Sequence, residues 1–88
     1  MPKHLLTFEL DQDSDQLFIH GNAKGLRFLA AALSRLAQSA ESGKVDHTHL
    51  MTEEWSGNEL SPAAQQKETS LINHVKIYGL PNPIPKTV

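Results

Sequence analysis

The residues from Asp46 to Leu60, DHTHLMTEEWSGNEL, determine how the rest of the chain must be arranged. The first six alternate between two faces as in a β-strand, and one of those faces carries His47, His49 and Met51. The second half is polar and contains Gly57, a composition typical of turns. The stretch also holds the single Trp and two of the five His. We therefore interpret the preceding residues as a scaffold that presents this stretch, and the following residues as the strand that closes a sheet.

Three other segments have the alternation of half-buried strands: residues 4–10, 16–20 and 71–78. The first two flank a polar cluster at residues 11–15 that suits a turn, because Asp and Ser side chains bond to nearby backbone groups. We expect those two strands to form an antiparallel hairpin.

A helix is predicted between the second and third strands. Its apolar residues fall at helical spacing, at positions 26, 29, 30, 33, 36, 37 and 40. Asn22 is suited to the N-cap, since its side-chain oxygen can accept a hydrogen bond from a free N–H of the first turn. Gly43 is placed to end the helix in a left-handed conformation.

The predicted fold is α+β and two-layered, in ββαββ order, with one helix covering one face of a four-stranded antiparallel sheet. Residues 1–80 form the single domain, and the Pro-rich residues 81–88 form an extended tail. The long connection at 52–71 either begins a short helix at Ser61-Pro62 or is a mobile loop that ends near Thr69. The sheet face away from the helix is expected to be uncovered, and to carry Thr7, Glu9, His74, Lys76, Tyr78 and the two His of the third strand.

Composition narrows the classes of function. A chain of 88 residues and 9.7 kDa is too small for a deep, water-excluding active site. Its net charge of −2, without a basic stripe, argues against nucleic acid as a ligand. The absence of Cys fits a reducing compartment, and no stretch has the length of a signal peptide or membrane span. We expect a cytoplasmic protein.

The chemistry of the central stretch leaves alternatives open. His47 and His49 point the same way and could chelate a metal with Glu53, Glu54 or His74, although such a pair is more often a solvated face. No nucleophile elbow or phosphate-binding loop is present, so we expect no enzyme. Trp55 either caps the core or is exposed as an anchor, and its acidic neighbours would suit a basic protein partner.

The run Asp46–Ser61 resembles immunity-protein family thirty-two of bacterial polymorphic toxin systems. Leu17–Asn22, with Gly25-Leu26 opening a Leu-rich helix, is similar to the family too, as is Val75–Tyr78. The likeness spans about residues 16–81.

The resemblance implies a protein that binds and neutralises a cognate toxin made by the same cell, without catalysis or a cofactor. The residues that it marks for toxin binding are Asp46, His47, His49, Glu53, Glu54, Trp55 and Glu59. Two other hypotheses remain: a small metal-dependent enzyme centred on His47 and His49, and a structural homodimer joined through the uncovered sheet face.

Overall fold

The computed structural model describes residues 4–84 and has one helix and two antiparallel sheets. The elements, in chain order, are β1 (Leu6–Asp11), β2 (Gln16–Gly21), α1 (Ala23–Glu41), β3 (Asp46–Met51), a 3-10 turn (Glu53–Trp55), β4 (Ser70–Leu71) and β5 (His74–Gly79). The α+β class is therefore as predicted, and the predicted last strand is divided into β4 and β5.

The predicted single four-stranded sheet is wrong. One sheet has the order β2-β1-β4 and the other pairs β3 with β5. The cause lies at the edge of β1 away from β2, where Ser61 N–H donates to Leu6 O and Ile72 N–H donates to Phe8 O, both at 2.8 Å. Loop backbone thus takes the position that β3 or β5 would need in order to join β1.

The hairpin of β1 and β2 is confirmed. The two strands pair antiparallel, with Phe8 opposite Ile19 and Leu10 opposite Leu17. These four apolar side chains share a face because residues directly opposite one another lie on the same side of a sheet. The predicted polar turn joins the strands, and the Asp11 carboxylate accepts from the N–H of Asp13 at 3.1 Å.

The helix has the predicted start and end. The Asn22 side chain accepts from Gly25 N–H at 2.8 Å, and Gly43 has φ +83°. Its buried face, however, is formed by Gly25, Ala32 and Leu36. At Gly25 the helix lies close to the residue that precedes β1, since an added Cβ would lie 1.8 Å from Leu5 O. With these residues facing inward, part of the predicted apolar stripe is left in solvent.

The core is small and lies between the helix and the two sheets. Leu6, Phe8, Leu50 and Leu60 form its buried cluster, and the residues packed against them are Leu29, Ile72, Val75 and Ile77. Strand and loop residues therefore supply most of the buried apolar surface.

The other face of β1 was expected to be uncovered, and this is wrong. Thr7 and Glu9 are both 0% exposed. Residues 61–69 cover them as an irregular loop, and no helix begins at Ser61-Pro62. The loop lies against β1 because the Glu9 carboxylate accepts from Gln65 N–H and Gln66 N–H at 3.0 Å.

After β5, residues 81–84 of the predicted tail contain neither helix nor strand, and residues 85–88 lie outside the described residues. Between residues 4 and 84, no helix is both long and apolar enough to cross a membrane.

Candidate functional site

The β3–β5 pair displays five polar and aromatic side chains on its face away from the core. In the register of the pair, His47 is opposite Tyr78, His49 is opposite Lys76 and Met51 is opposite His74. Val75 and Ile77 point the other way and pack against the core. We call the resulting surface the imidazole face; it consists of His47, His49, His74, Lys76 and Tyr78.

The rings of this face form a connected series. The His47 ring lies 5.0 Å from that of His49 and 5.5 Å from that of Tyr78, centroid to centroid. The His49 and His74 rings are stacked at 13°, and His49 Nδ1 lies 2.8 Å from His74 Nε2. One of those two nitrogens must donate and the other accept, so this contact holds a single proton. The neighbouring rings therefore fix each other's orientation.

Desolvation and nearby charges keep His49 neutral over a wider pH range than a free imidazole. Desolvation, followed by the charges of Lys76, His47 and His74, lowers the pKa of His49 from its usual 6.5. Lys76 also makes a cation–π contact, since its Nζ lies 5.0 Å from the centroid of the Tyr78 ring. The surroundings of His49 therefore favour its neutral, hydrogen-bonding form.

Trp55 extends the imidazole face at one end. Its side chain is 53% exposed and stacks on the His74 ring at 5.8 Å and 28°. The 3-10 turn that carries it is closed by hydrogen bonds from Trp55 N–H and Gly57 N–H to Thr52 O, at 2.9 and 3.0 Å. Ser56 adopts a left-handed conformation, φ 69°, to complete the turn. Of the two alternatives for Trp55, the exposed position is the one observed.

The three Glu of the predicted site differ in what they do. Glu53 and Glu54 are exposed in the 3-10 turn, next to Trp55. The Glu59 carboxylate instead accepts from Met51 N–H at 3.0 Å, and the Glu59 carbonyl is 2.7 Å from His4 Nε2. Glu59 thus holds the end of β3 and the N-terminal segment in place, whereas Glu53 and Glu54 are free to meet another molecule.

Asp46 lies apart from the other predicted residues. Its carboxylate accepts from the Ser39 hydroxyl of the helix at 3.1 Å and from its neighbour's amide, His47 N–H, at 2.8 Å. The His47 amide, followed by the Ser39 hydroxyl, lowers the pKa of Asp46. Asp46 borders an open cavity of about 320 Å³ that is also lined by Arg35 and Lys44. It therefore belongs to the helix side of β3.

His74, Lys76 and Tyr78 are part of the face but were not among the predicted site residues. Strand alternation in the sequence could have identified them, because it placed all three side chains on one side of the last strand. What alternation could not give was the register against β3, which brings His74 within hydrogen-bonding distance of His49.

The face offers ring surfaces and hydrogen-bonding groups rather than a metal centre. Among residues 4–84, no group of three or more His, Asp or Glu is arranged to hold a metal ion. A second cavity, of about 200 Å³, opens beside the face and is lined by His4, Glu53 and Leu60 among others. It is open to solvent.

These features define a small α+β domain with an exposed surface of aromatic rings. The family model described as Immunity protein 32 matches residues 16–75, more than half of the chain, and the chain therefore belongs to that family. The match spans β2, the helix, β3 and Trp55, and it reaches into β5 past His74. No curated protein and no solved structure is significantly similar to the chain.

Proposed function

We propose that this protein is a non-catalytic inhibitor that binds a cognate toxin of the same bacterial cell, in the cytoplasm, and occludes the toxin's active surface. Membership of an immunity-protein family supports the class of role. The imidazole face with Trp55 at its end is the single observation that supports the place of binding.

The composition of this face suits tight binding. Trp and Tyr are enriched among the residues that contribute most to protein–protein affinity. Trp55 and Tyr78 are both exposed, at opposite ends of the series of imidazoles. Because each ring already contacts a neighbouring ring, little conformational entropy is lost when a partner docks.

The charge next to Trp55 indicates the chemistry of the partner. Glu53 and Glu54 are exposed in the same turn. Carboxylates beside an aromatic anchor favour a basic surface, since charge complementarity accelerates encounter and excludes acidic partners. We therefore propose that basic groups of the toxin meet Glu53 and Glu54 at the rim, while Trp55, His49 and His47 contact the adjoining surface of the toxin.

Glu59 and Asp46 have a different place in this proposal. The Glu59 carboxylate stabilises the turn by accepting a hydrogen bond from Met51 N–H. The Asp46 carboxylate points toward the helix, where it accepts a hydrogen bond from the Ser39 hydroxyl. Substitution of Glu59 should reduce stability as well as binding, whereas substitution of Asp46 should leave the docking surface intact.

Co-expression with the toxin-like reading frame next to the gene tests this proposal. The two proteins should copurify, and Trp55→Ala and His49→Ala should each weaken binding by about 30-fold, the effect of losing about 2 kcal/mol at an interface hot spot. Phe28→Ala is the matched control, because it also removes a partly exposed ring, but from the helix. The variants should keep the far-ultraviolet circular dichroism of the parent.

Two results would contradict the proposal. The first is a pair that does not associate at micromolar concentration. The second is a Phe28→Ala variant that loses as much affinity as Trp55→Ala, because binding would then depend on the helix or on overall stability.

A further inference from the structure

The outer edge of β2 carries unpaired backbone groups. Within residues 4–84, β2 has β1 as its neighbour on one side and no strand on the other. Leu6 O and Phe8 O accept hydrogen bonds from loop residues on the far side of β1, so the backbone polar groups of Leu6 and Phe8 face away from β2. In an antiparallel pair, a residue whose N–H and C=O groups point away from the partner strand lies opposite a residue whose N–H and C=O groups also point away. Ile19, opposite Phe8, and Leu17, two residues before it, therefore direct their N–H and C=O groups to the free edge.

The same two residues expose apolar side chains. Leu17 is 57% and Ile19 47% exposed, on the side of the sheet that faces the core. On the helix, Leu26 is 48% and Leu33 44% exposed, and their spacing of seven residues places them on one helix face. A Cβ at Gly21 would lie 2.9 Å from the Leu26 side chain, so strand and helix meet there. We call these four residues the β2 edge patch.

This edge lacks the features that usually keep edge strands apart. The sequence of β2, QLFIHG, contains no Lys, Arg, Asp, Glu or Pro. Edge strands of monomeric proteins are normally protected by such residues, by bulges or by a covering segment. Each residue of β2 pairs one-to-one with β1, without a bulge. The strand is thus suited to addition of another strand.

We propose that a second copy of this chain pairs with β2, strand to antiparallel strand, about a two-fold axis at Phe18. Because only outward-facing residues can hydrogen-bond across the edge, an axis that pairs five of the six β2 residues must pass through Phe18 or Ile19. An axis at Phe18 places Leu17 opposite Ile19 of the second copy, twice, whereas an axis at Ile19 would place Leu17 opposite Gly21. The first arrangement joins apolar side chains to each other and makes one six-stranded sheet from two three-stranded ones.

Charge favours the same arrangement. Antiparallel pairing carries the acidic turn of one copy, with Asp13 and Asp15, toward the helix start of the other, with Lys24 and Arg27. Opposite charges at both ends of a two-fold interface attract twice, since every contact is repeated. The β2 edge is distinct from the uncovered polar face that the sequence suggested for a homodimer.

Sedimentation of the purified protein alone tests the association. The parent should be a dimer at micromolar concentration, and Ile19→Lys should shift it to monomer, because a charge is placed at the centre of the paired edge. Val45→Lys is the matched control, since Val45 is 49% exposed and lies outside β2 and the helix. A parent that sediments as a monomer overturns the proposal, and so does a dimer that persists in Ile19→Lys.

Cross-linking tests the register independently of any effect on folding. The chain has no Cys, so Phe18→Cys introduces a single thiol. Across the two-fold axis two such residues form a non-hydrogen-bonded pair with Cα atoms about 4.5 Å apart, a separation that allows a disulfide. Phe18→Cys should therefore form a covalent dimer on mild oxidation. Ser14→Cys should not, because residue 14 lies in the turn beyond Gln16, and two copies of Gln16 would already be about 14 Å apart at the rise per residue of an antiparallel strand.

Equal cross-linking of the two Cys variants would exclude this register. A monomeric parent whose Ile19→Lys variant fails to bind the toxin would show instead that the edge receives a strand of the toxin.

Discussion

Glu9 is the residue on which the arrangement of the long loop depends. Its carboxylate is fully buried and accepts from the Thr7 hydroxyl, from the N–H groups of Gln65 and Gln66, and from the Thr69 hydroxyl. His20 Nδ1 lies 3.0 Å from the same group. Burial alone would raise the pKa of Glu9, but these hydrogen bonds outweigh it and lower the pKa from 4.5 to about 2. The ionised form is therefore the one that the fold requires.

Replacing Glu9 by Gln should lower the free energy of unfolding at pH 7 by about 2–3 kcal/mol, since a neutral amide accepts fewer and weaker hydrogen bonds and leaves buried donors unpaired. Urea unfolding measures this loss. Glu41→Gln, at the exposed end of the helix, should change stability by less than about 0.5 kcal/mol. Equal stability of the two variants would show that the carboxylate does not hold the loop.

The same carboxylate should make stability depend on pH. Because its pKa is lower in the folded chain than in the unfolded chain, the unfolded chain binds more protons between these two values. The contribution of Glu9 is complete above pH 4.5 and is lost as the pH falls toward 2. Urea midpoints of the parent should therefore fall more steeply over that range than those of Glu9→Gln. Parallel curves would contradict the assignment.

The helix and the hairpin could be predicted from the sequence because local signals determine them. Asn22 and Gly43 are within a few residues of the backbone they cap, and the turn at 11–15 joins adjacent strands. The division of the sheet could not be predicted in this way. It depends on Ser61 bonding to Leu6 and on Gln65 bonding to Glu9, more than fifty residues apart in each case. No periodicity or turn preference in either segment encodes such pairings.

Gly25 shows how one close approach constrains the start of the helix. An added Cβ would lie 1.8 Å from Leu5 O, a backbone atom that cannot move away without displacing β1. Gly25→Ala should therefore destabilise the protein by about 3 kcal/mol, the upper end for overpacking, although Ala is the better helix former by about 1 kcal/mol. Thermal unfolding of the variant and the parent shows whether the substitution lowers or raises stability.

Gly43→Ala is the informative comparison for Gly25→Ala. A Cβ at Gly43 would meet open space, but its φ of +83° is strained for any residue with a side chain. The expected cost is about 1–2 kcal/mol, from backbone strain alone. If Gly25→Ala were more stable than the parent, propensity would outweigh packing, and the helix would not be held against β1 as described.

At the scale of the whole molecule, the two proposed surfaces lie on different sheets. The imidazole face belongs to the β3–β5 pair, and the β2 edge patch belongs to the free edge of the three-stranded sheet and the adjoining helix. Strand alternation predicted one part of the candidate site, namely that His47 and His49 lie on the same face. The roles of Glu59 and Asp46 were not, because they depend on bonds to Met51 and Ser39 that form only in the folded chain.

The separation of these surfaces predicts the composition of the complex with the proposed toxin. Two toxin molecules should bind one dimer, because neither surface covers the other, and light scattering of the co-expressed complex should give the mass of a 2:2 assembly. Ile19→Lys should reduce the complex to 1:1 without weakening toxin binding, whereas Trp55→Ala should weaken toxin binding by about 30-fold and leave the dimer intact. The oxidised Phe18→Cys dimer should still bind two toxin molecules. One toxin per cross-linked dimer would mean that the surfaces overlap, and loss of toxin binding in Ile19→Lys would place the toxin on the strand edge instead of on the imidazole face.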